Sequence, residues 1–186
     1  MKRSGWLFGL GVGVVLTLGS SLQLVADDAP AHPYVGADKC KLCHNSAPKG
    51  AQYTRWTESK HSKAYATLAS EEARKVGATR GIADPQKAPE CLKCHVTGYG
   101  SPAGKLTDKW RMTEGVGCEA CHGPGGEYWK MEVMRDEAKS AAAGMIKPNE
   151  TTCTKCHNAE NPTNKPFDFA EFNAKIAHPN PQKAAK

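Results

Sequence analysis

The sequence predicts a mainly α-helical fold of short helices and loops, with little or no β-sheet. No segment alternates apolar and polar residues as half-buried strands do, whereas residues 51–75 and 128–143 are rich in Ala, Glu and Lys, which favour helices. Leu, Ile, Val and Phe, which normally build the core of a soluble domain, are scarce after residue 26. The third observation is a fourfold motif that explains how such a chain obtains a core.

All eight cysteines belong to four copies of the motif Cys-x-x-Cys-His. This motif is typical of covalent haem c attachment, in which two thiols bond to one haem and the histidine that follows binds its iron. The predicted attachment residues and proximal iron ligands are Cys40, Cys43 and His44; Cys91, Cys94 and His95; Cys118, Cys121 and His122; and Cys153, Cys156 and His157. We therefore predict a small multihaem cytochrome, whose short helices and loops wrap around four closely packed, covalently attached haem c groups.

Other uses of paired cysteines explain this pattern less well. A zinc ribbon needs no histidine directly after each pair of cysteines, and here all four pairs have one. A disulfide framework requires neither the constant spacing nor the histidines. A thioredoxin-like motif normally occurs once, within a βαβ pattern that this sequence does not contain.

The N-terminus has the features of an export signal. Lys2 and Arg3 precede an apolar run at residues 6–18, and small residues before Asp27 suit processing. Because the apolar run is shorter than the roughly 20 residues that span a bilayer, cleavage is favoured over a membrane anchor formed by an uncleaved N-terminus. We predict a signal peptide at residues 1–26, a single tetrahaem domain at residues 27–186, and a location in the periplasm or otherwise outside the cytoplasm.

The elements follow from local signals along the chain. Residues 51–75 predict one or two helices, and residues 77–89 predict a loop because they contain Gly and Pro. Residues 128–143 predict a further helix that ends at Gly144. Asp168 and the residues after it have the pattern of a capping box, which predicts a last helix running to His178.

Three histidines lie outside the motifs and are candidates for the sixth ligand of an iron: His32, His61 and His178. His32 is close in sequence to the first motif, so we expect it to serve another haem. Because four irons have only three such histidines, one sixth ligand is either absent or a methionine. Met131 and Met134 are the weaker candidates for this position, since a methionine on a helix more often serves packing.

The charge of the chain does not indicate a nucleic-acid partner. The formal charge of +6 falls by two when Lys2 and Arg3 are removed, and haem propionates offset the rest. The expected partners are redox proteins that donate and accept electrons. After cleavage of the signal, no transmembrane segment is expected.

Residues 91–100 and 115–125, which include Gly-Val-Gly-Cys-Glu-Ala-Cys-His-Gly-Pro-Gly, resemble two haem segments of the cytochrome c-554 family of tetrahaem electron carriers. The resemblance implies that His44 pairs with His178, that His122 pairs with His61, and that the His95 haem lacks a strong sixth ligand. In that family the fourth haem takes a histidine from the segment after Gly-Pro-Gly.

The corresponding residues 126–134 of this sequence contain no histidine. His32 is therefore the first substitute as sixth ligand of the fourth haem, and Met131 or Met134 is the second.

The expected function is to carry electrons between redox partners through four closely packed haems. An enzyme is the weaker alternative: reduction of a small nitrogen oxide, such as nitric oxide, at an open five-coordinate His95 haem. A haem-bearing subunit of an extracellular assembly is the third. No catalytic residue is predicted apart from this open iron.

Overall fold

The computed structural model describes residues 32–184, which form eleven short α-helices joined by loops. The helices are α1 (Ala37–His44), α2 (Gln52–Glu58), α3 (Ala64–Thr67), α4 (Glu71–Ala78), α5 (Pro89–His95), α6 (Cys118–His122), α7 (Met131–Met134), α8 (Glu137–Ala142), α9 (Glu150–Thr154), α10 (Phe169–Ile176) and α11 (Pro181–Ala184). Two single 3-10 turns cover Ala47–Lys49 and Met112–Glu114.

The described residues contain no β-strand, only an isolated bridge between Tyr34 and Leu106. The prediction of a mainly helical fold with little or no sheet is confirmed. The predicted signal peptide at residues 1–26 lies outside the described residues.

The helices are shorter than the sequence predicts. Residues 51–75 contain α2, α3 and part of α4, and residues 128–143 contain α7 and α8 in place of one helix. The second break occurs where the Asp136 carboxylate accepts a hydrogen bond from the N–H of Lys139 and so begins α8. Asp168 caps α10 as predicted, but this helix ends at Ile176 and not at His178.

The apolar core formed by side chains is small. Leu68, Leu92 and Val96 form its buried cluster, with Tyr65 and Trp110 among the half-buried residues packed against it. This cluster joins α3 to α5, which carries the second motif. A few residues of this kind cannot hold eleven short helices together, so other contacts must position the remaining motifs.

A buried carboxylate joins the first motif to the third. Glu119, inside α6, is only 4% exposed and accepts hydrogen bonds from the N–H groups of Val35 at 2.9 Å, Gly36 at 2.9 Å and Gly125 at 2.6 Å. Burial raises the pKa of this carboxyl, while the three N–H donors act in the opposite direction. Glu114 reinforces the connection by accepting a hydrogen bond from the N–H of Ala37 at 2.9 Å.

Gly36 is required at this connection for two reasons. Its φ of +83° lies in the left-handed region that favours glycine. A Cβ atom here would also lie 2.8 Å from the carbonyl oxygen of Lys109. The chain can therefore enter α1 and still present its N–H to Glu119 only with glycine at this position.

Replacing Glu119 with Ala should lower the free energy of unfolding of the holoprotein by about 3 kcal/mol, because three buried N–H groups lose a charged acceptor. Chemical denaturation, followed by haem absorbance and circular dichroism, measures the change. Glu71→Ala is the matched control, since its exposed ion pair with Lys75 contributes little. Equal stability of the two variants would contradict the role assigned to Glu119.

Candidate haem-binding sites

Each motif occupies about one helical turn. Helices α1, α5 and α6 end at the motif histidines His44, His95 and His122. The fourth motif begins on α9, and there the N–H of His157 donates to the carbonyl oxygen of Cys153 at 3.0 Å. Residues three and four positions apart share one face of a helix, so two sulfurs and one imidazole of each motif lie on the same side. This donor set fits covalent haem attachment.

The cysteines are available for that attachment. All eight lie in the described part of the chain, and none forms a disulfide. Seven are half-buried, and Cys43 alone is exposed. Burial raises the pKa of the Cys121 thiol to about 11, the neighbouring Cys153 and Cys118 adding to the effect.

Contacts between thiols show which motifs are neighbours. Cys40 of the first motif donates a hydrogen bond to Cys118 of the third, which raises the pKa of Cys40 and lowers that of Cys118. Cys156 of the fourth motif donates to Cys94 of the second.

The third and fourth motifs are linked as well, since Cys121 lies close enough to Cys153 for the two thiols to interact electrostatically. The motifs are therefore connected in the order first, third, fourth, second, which differs from their order in the sequence.

One large cavity, of about 730 Å³, combines the first and third motifs with two of the predicted distal histidines. Its lining includes Cys40, His44, His61, Cys118, Cys121, His122, Tyr128, Met134, Met145 and His178. Thiols, imidazoles and largely apolar walls are the environment that an attached haem requires, so these residues fit the predicted cofactor.

Two pairs of histidine rings are spaced as ligands of one iron would be. The ring centres of His122 and His178 lie 6.0 Å apart, and those of His61 and His157 lie 6.1 Å apart. Because metal–imidazole bonds are about 2 Å long, two rings on opposite sides of one metal have centres roughly 6 Å apart.

These two pairs differ from the pairing that the resemblance implies. The structure places the His178 ring beside that of His122 and the His61 ring beside that of His157, and His44 lines the same cavity as His178. The spacing of the histidines in the sequence does not determine which rings pair, because the pairing depends on how the loops between the motifs fold.

The paired histidines are suited to metal binding. Burial lowers the pKa of His61 and of His122, which favours the neutral imidazole that has a lone pair for a metal. Nδ1 of His122 lies 3.3 Å from the carbonyl oxygen of Ile146, and Nδ1 of His178 lies 2.8 Å from that of Ile176. With Nδ1 donating to these carbonyls, Nε2 is the metal-binding atom.

His95 has a different environment. Its Nδ1 donates to the carbonyl oxygen of Ala64 at 2.8 Å, so this proximal imidazole is also held in one orientation. Among the described ring contacts, none places His32, His61 or His178 against His95. The neighbouring Leu92 and Val96 are buried.

The remaining candidates lie at separate places. His32 is half-buried and packs against Gly144, so that a Cβ atom added to Gly144 would lie 3.0 Å from Cδ2 of His32. His32 does not line the large cavity. Met134 lines that cavity, whereas Met131 is 53% exposed. Met145 lines the cavity too and was not predicted, because it follows Gly144 outside the expected helix and no sequence signal marks it.

Two aromatic residues near the fourth motif were also not predicted. The Phe167 ring stacks on that of His157 with centres 5.0 Å apart and planes 20° apart, and Phe172 packs on Phe167 at 5.1 Å. Both line a second cavity of about 200 Å³ beside His157. They lie on α10 and the segment before it, so this part of the chain shields His157 on one side.

Comparisons with known proteins agree with this chemistry. Residues 39–123 match the family described as cytochrome c554 and c-prime. The sequence is 34% identical over 124 residues to cytochrome c-554 of Nitrosomonas europaea, which is 64% of this chain and 49% of that protein. The chain therefore spans about half the length of this curated relative.

A comparison with solved structures also finds similarity to a cytochrome c554. The reduced state of cytochrome c554 from Nitrosomonas europaea matches this structure with a TM-score of 0.52 and 25% sequence identity, over 83% of this chain and 82% of that chain. The helical fold and the motif geometry define a multihaem c-type cytochrome. Within that class, the comparisons confirm the resemblance to the cytochrome c-554 family.

None of the helices between residues 32 and 184 is both long and apolar enough to cross a membrane.

Replacing either His61 or His178 with Ala should convert one haem from low spin to high spin, because the short side chain offers no sixth ligand. Electron paramagnetic resonance and visible spectra of the ferric protein measure the change. Gln182→Ala, an exposed position close to His178 in sequence, is the control. An unchanged low-spin signal in both histidine variants would show that neither residue binds iron.

Proposed function

We propose that this chain is an exported tetrahaem electron carrier that takes electrons from one redox protein and passes them to another. The observation that carries the proposal is the proximity of the motifs: Cys40 is hydrogen-bonded to Cys118 and Cys156 to Cys94, and Cys121 lies close enough to Cys153 for an electrostatic interaction. When bound, the four haems would supply one-electron redox centres. Side chains that keep these centres close together are what an electron carrier needs, and the proposal requires no substrate pocket.

Further proposals concern export and domain organisation. We propose that residues 1–26 are a cleaved signal peptide and that residues 27–186 form one tetrahaem domain in the periplasm or otherwise outside the cytoplasm. The apolar run after Lys2 and Arg3 supports this, as does a motif whose thiols become covalently attached to haem.

The sixth ligands differ among the four sites. We propose that His178 serves the third motif and His61 the fourth, because the rings of each pair lie about as far apart as two ligands of one iron would. For the first motif we propose Met134 in preference to His32, because Met134 lines the cavity of that motif and His32 packs on Gly144. A methionine ligand would raise the potential of this haem relative to bis-histidine sites.

A second candidate function is reduction of a small nitrogen oxide such as nitric oxide at the second motif. The observation in its favour is the environment of His95, which Ala64 orients and which no distal histidine contacts in the described chain. This activity would be additional to electron transfer, since electrons must still reach the second motif.

The exported protein should begin at Asp27 and carry four covalent haems, because four motifs each provide two thiols and one histidine. Intact mass of the secreted protein, together with haem quantification per chain, measures both properties. Replacing Cys153 and Cys156 with Ala should remove one haem, whereas the same change at Thr151 and Thr154 on α9 should remove none. Fewer than four haems in the unaltered protein would contradict the tetrahaem proposal.

The ferric protein should show one high-spin haem, from the second motif, and the absorption band of a methionine–iron bond. Met134→Leu should abolish that band, because a leucine cannot bind iron, and Met131→Leu is the matched control on the same helix. Nitric oxide added to the protein should change only the high-spin signal.

Loss of the band in the Met131 variant alone would refute the assignment to Met134. Reduction of nitric oxide by the fully reduced protein would support the second candidate function. A protein whose four haems are all low spin and unresponsive to nitric oxide would exclude that function.

A further inference from the structure

We propose that Gly115 is a positioning residue for iron ligands of two haems that are attached elsewhere in the chain. It lies just before the third motif, but its backbone packs against the turn formed by residues 61–64, the ligand turn. This turn carries His61 and orients His95 of the second motif. The proposal rests on the role of His61 as a sixth ligand, proposed above, and adds what keeps that ligand and His95 in place.

The first connection joins the ligand turn to the second motif. Nδ1 of His95 donates to the carbonyl oxygen of Ala64 at 2.8 Å, and Ala64 is the first residue of α3. The N–H of Ala64 donates in turn to the carbonyl oxygen of His61 at 3.1 Å. A single hydrogen bond within the turn therefore links the residue that orients the His95 imidazole to the backbone of His61.

The second connection joins the ligand turn to the segment before the third motif. The carbonyl oxygen of His61 also accepts a hydrogen bond from the N–H of Val116 at 2.9 Å. Gly115 is buried, and a Cβ atom added to it would lie 2.8 Å from the carbonyl oxygen of His61 and 3.0 Å from that of Ser62. Its φ of +66° lies in the left-handed region that favours glycine. The turn and this segment can therefore approach each other only with glycine here.

The third connection closes a loop of hydrogen bonds that returns to the second motif. The carbonyl oxygen of Gly115 accepts from the N–H of Thr97 at 2.9 Å, and Thr97 follows His95 by two residues. The Thr97 hydroxyl also accepts from the N–H of Gly117 at 2.7 Å. The backbone after His95 is thus tied to Gly115, while the His95 imidazole is tied to the ligand turn. A displacement of Gly115 therefore affects His95 through both contacts.

The imidazole of His61 extends from this loop of hydrogen bonds to another site. Its centre lies 6.1 Å from that of His157 in the fourth motif, and the two ring planes are 73° apart. The ligand turn therefore sets the orientation of one ligand at the fourth site and of one at the second site. Because Gly115 sets how closely the turn approaches the third motif, it positions both ligands.

Gly115→Ala should change two of the four haems at once, because the added Cβ atom pushes the ligand turn away from its place. The His61 haem should lose part of its low-spin signal. At the second haem, the ferrous-to-ferric ratio at a fixed potential should rise by about threefold, since a weaker hydrogen bond to Ala64 makes His95 a poorer donor to ferric iron. A redox titration of the holoprotein, followed by electron paramagnetic resonance, measures both changes.

Two reference variants assign the signals to their sites. His61→Ala identifies the haem that His61 serves, because it removes the ligand. Replacing Cys91 and Cys94 with Ala identifies the second haem, because it removes the attachment. The signals that change in Gly115→Ala should be the same two that these variants identify.

Gly36→Ala is the matched control. Gly36 is also buried, its φ is +83°, and a Cβ atom added to it would also lie 2.8 Å from a backbone oxygen, that of Lys109. The two variants should therefore lose similar amounts of stability in chemical denaturation. Gly36→Ala should leave the signals of the His61 haem and of the second haem unchanged, because Gly36 contacts Glu119 and not the ligand turn.

Ser62→Ala serves in case Gly115→Ala does not assemble with four haems. The Ser62 hydroxyl donates to the carbonyl oxygens of Thr57 and Ser59, each at 3.0 Å. Its loss loosens the same turn without adding an atom. This variant should shift the same two signals by a smaller amount.

Unchanged signals at both haems in Gly115→Ala and Ser62→Ala would overturn the proposal, as would a change at only one of the two. The same two changes in Gly36→Ala would also overturn it, because they would reflect a general loss of stability. If His61→Ala converts one haem to high spin while Gly115→Ala has no effect, only the role of Gly115 is wrong. If His61→Ala leaves all four signals unchanged, the sixth-ligand role proposed for His61 is wrong, and this inference with it.

Discussion

The Glu119 carboxylate fixes the position of the first motif relative to the third. It lies between the two cysteines of the third motif, yet its oxygens accept hydrogen bonds from Val35 and Gly36, directly before the first motif. Gly125, after the third motif, donates to the same carboxylate. A single buried charge therefore replaces the apolar contacts that would normally bring two helices together, and it lies close to the contact between Cys40 and Cys118. Its negative charge also stays close to both attachment sites, where it would stabilise the oxidised form of bound iron.

Comparable polar contacts hold the second motif and the segment before the third. Thr97, just after His95, donates its N–H to Gly115 and accepts through its hydroxyl from the N–H of Gly117 at 2.7 Å. The indole N–H of Trp56 donates to the carbonyl oxygen of Val116 at 2.8 Å. Backbone groups that lack partners within a helix are thereby satisfied. The apolar surfaces that face the large cavity are left to pack against the predicted cofactor.

The chemistry of the chain could be predicted from sequence, because each motif is complete within five residues and local geometry sets its donors on one side. The cap at Asp168 was predictable for the same reason, whereas the break before Asp136 was not: composition favours helix on both sides of it. The signal for the end of the last helix is Pro179, and a proline marks a helix end only to within one or two residues. It could therefore not show that α10 ends at Ile176.

The pairing of histidines was not predictable from the sequence. The ring contact between His61 and His157 joins residues that are far apart in the sequence, and no local signal marks it. The segment after Gly125 lacks the histidine that the family resemblance implies, so the resemblance does not supply a complete set of ligand pairs. The place of Met145 was not predictable from the sequence either, since only the folded loop after Gly144 brings this residue to the cavity wall.

The order of thiol contacts separates the two most unusual sites. The first motif has the exposed Cys43, and the second has His95 next to the buried cluster of Leu92 and Val96. Because the third and fourth motifs lie between them in this order, an electron delivered to a haem at the first motif would pass two further haems before it reached one at His95. An open iron at His95 would then be the site farthest from the first motif along this series. Such an arrangement would leave three further redox centres to supply electrons to that iron.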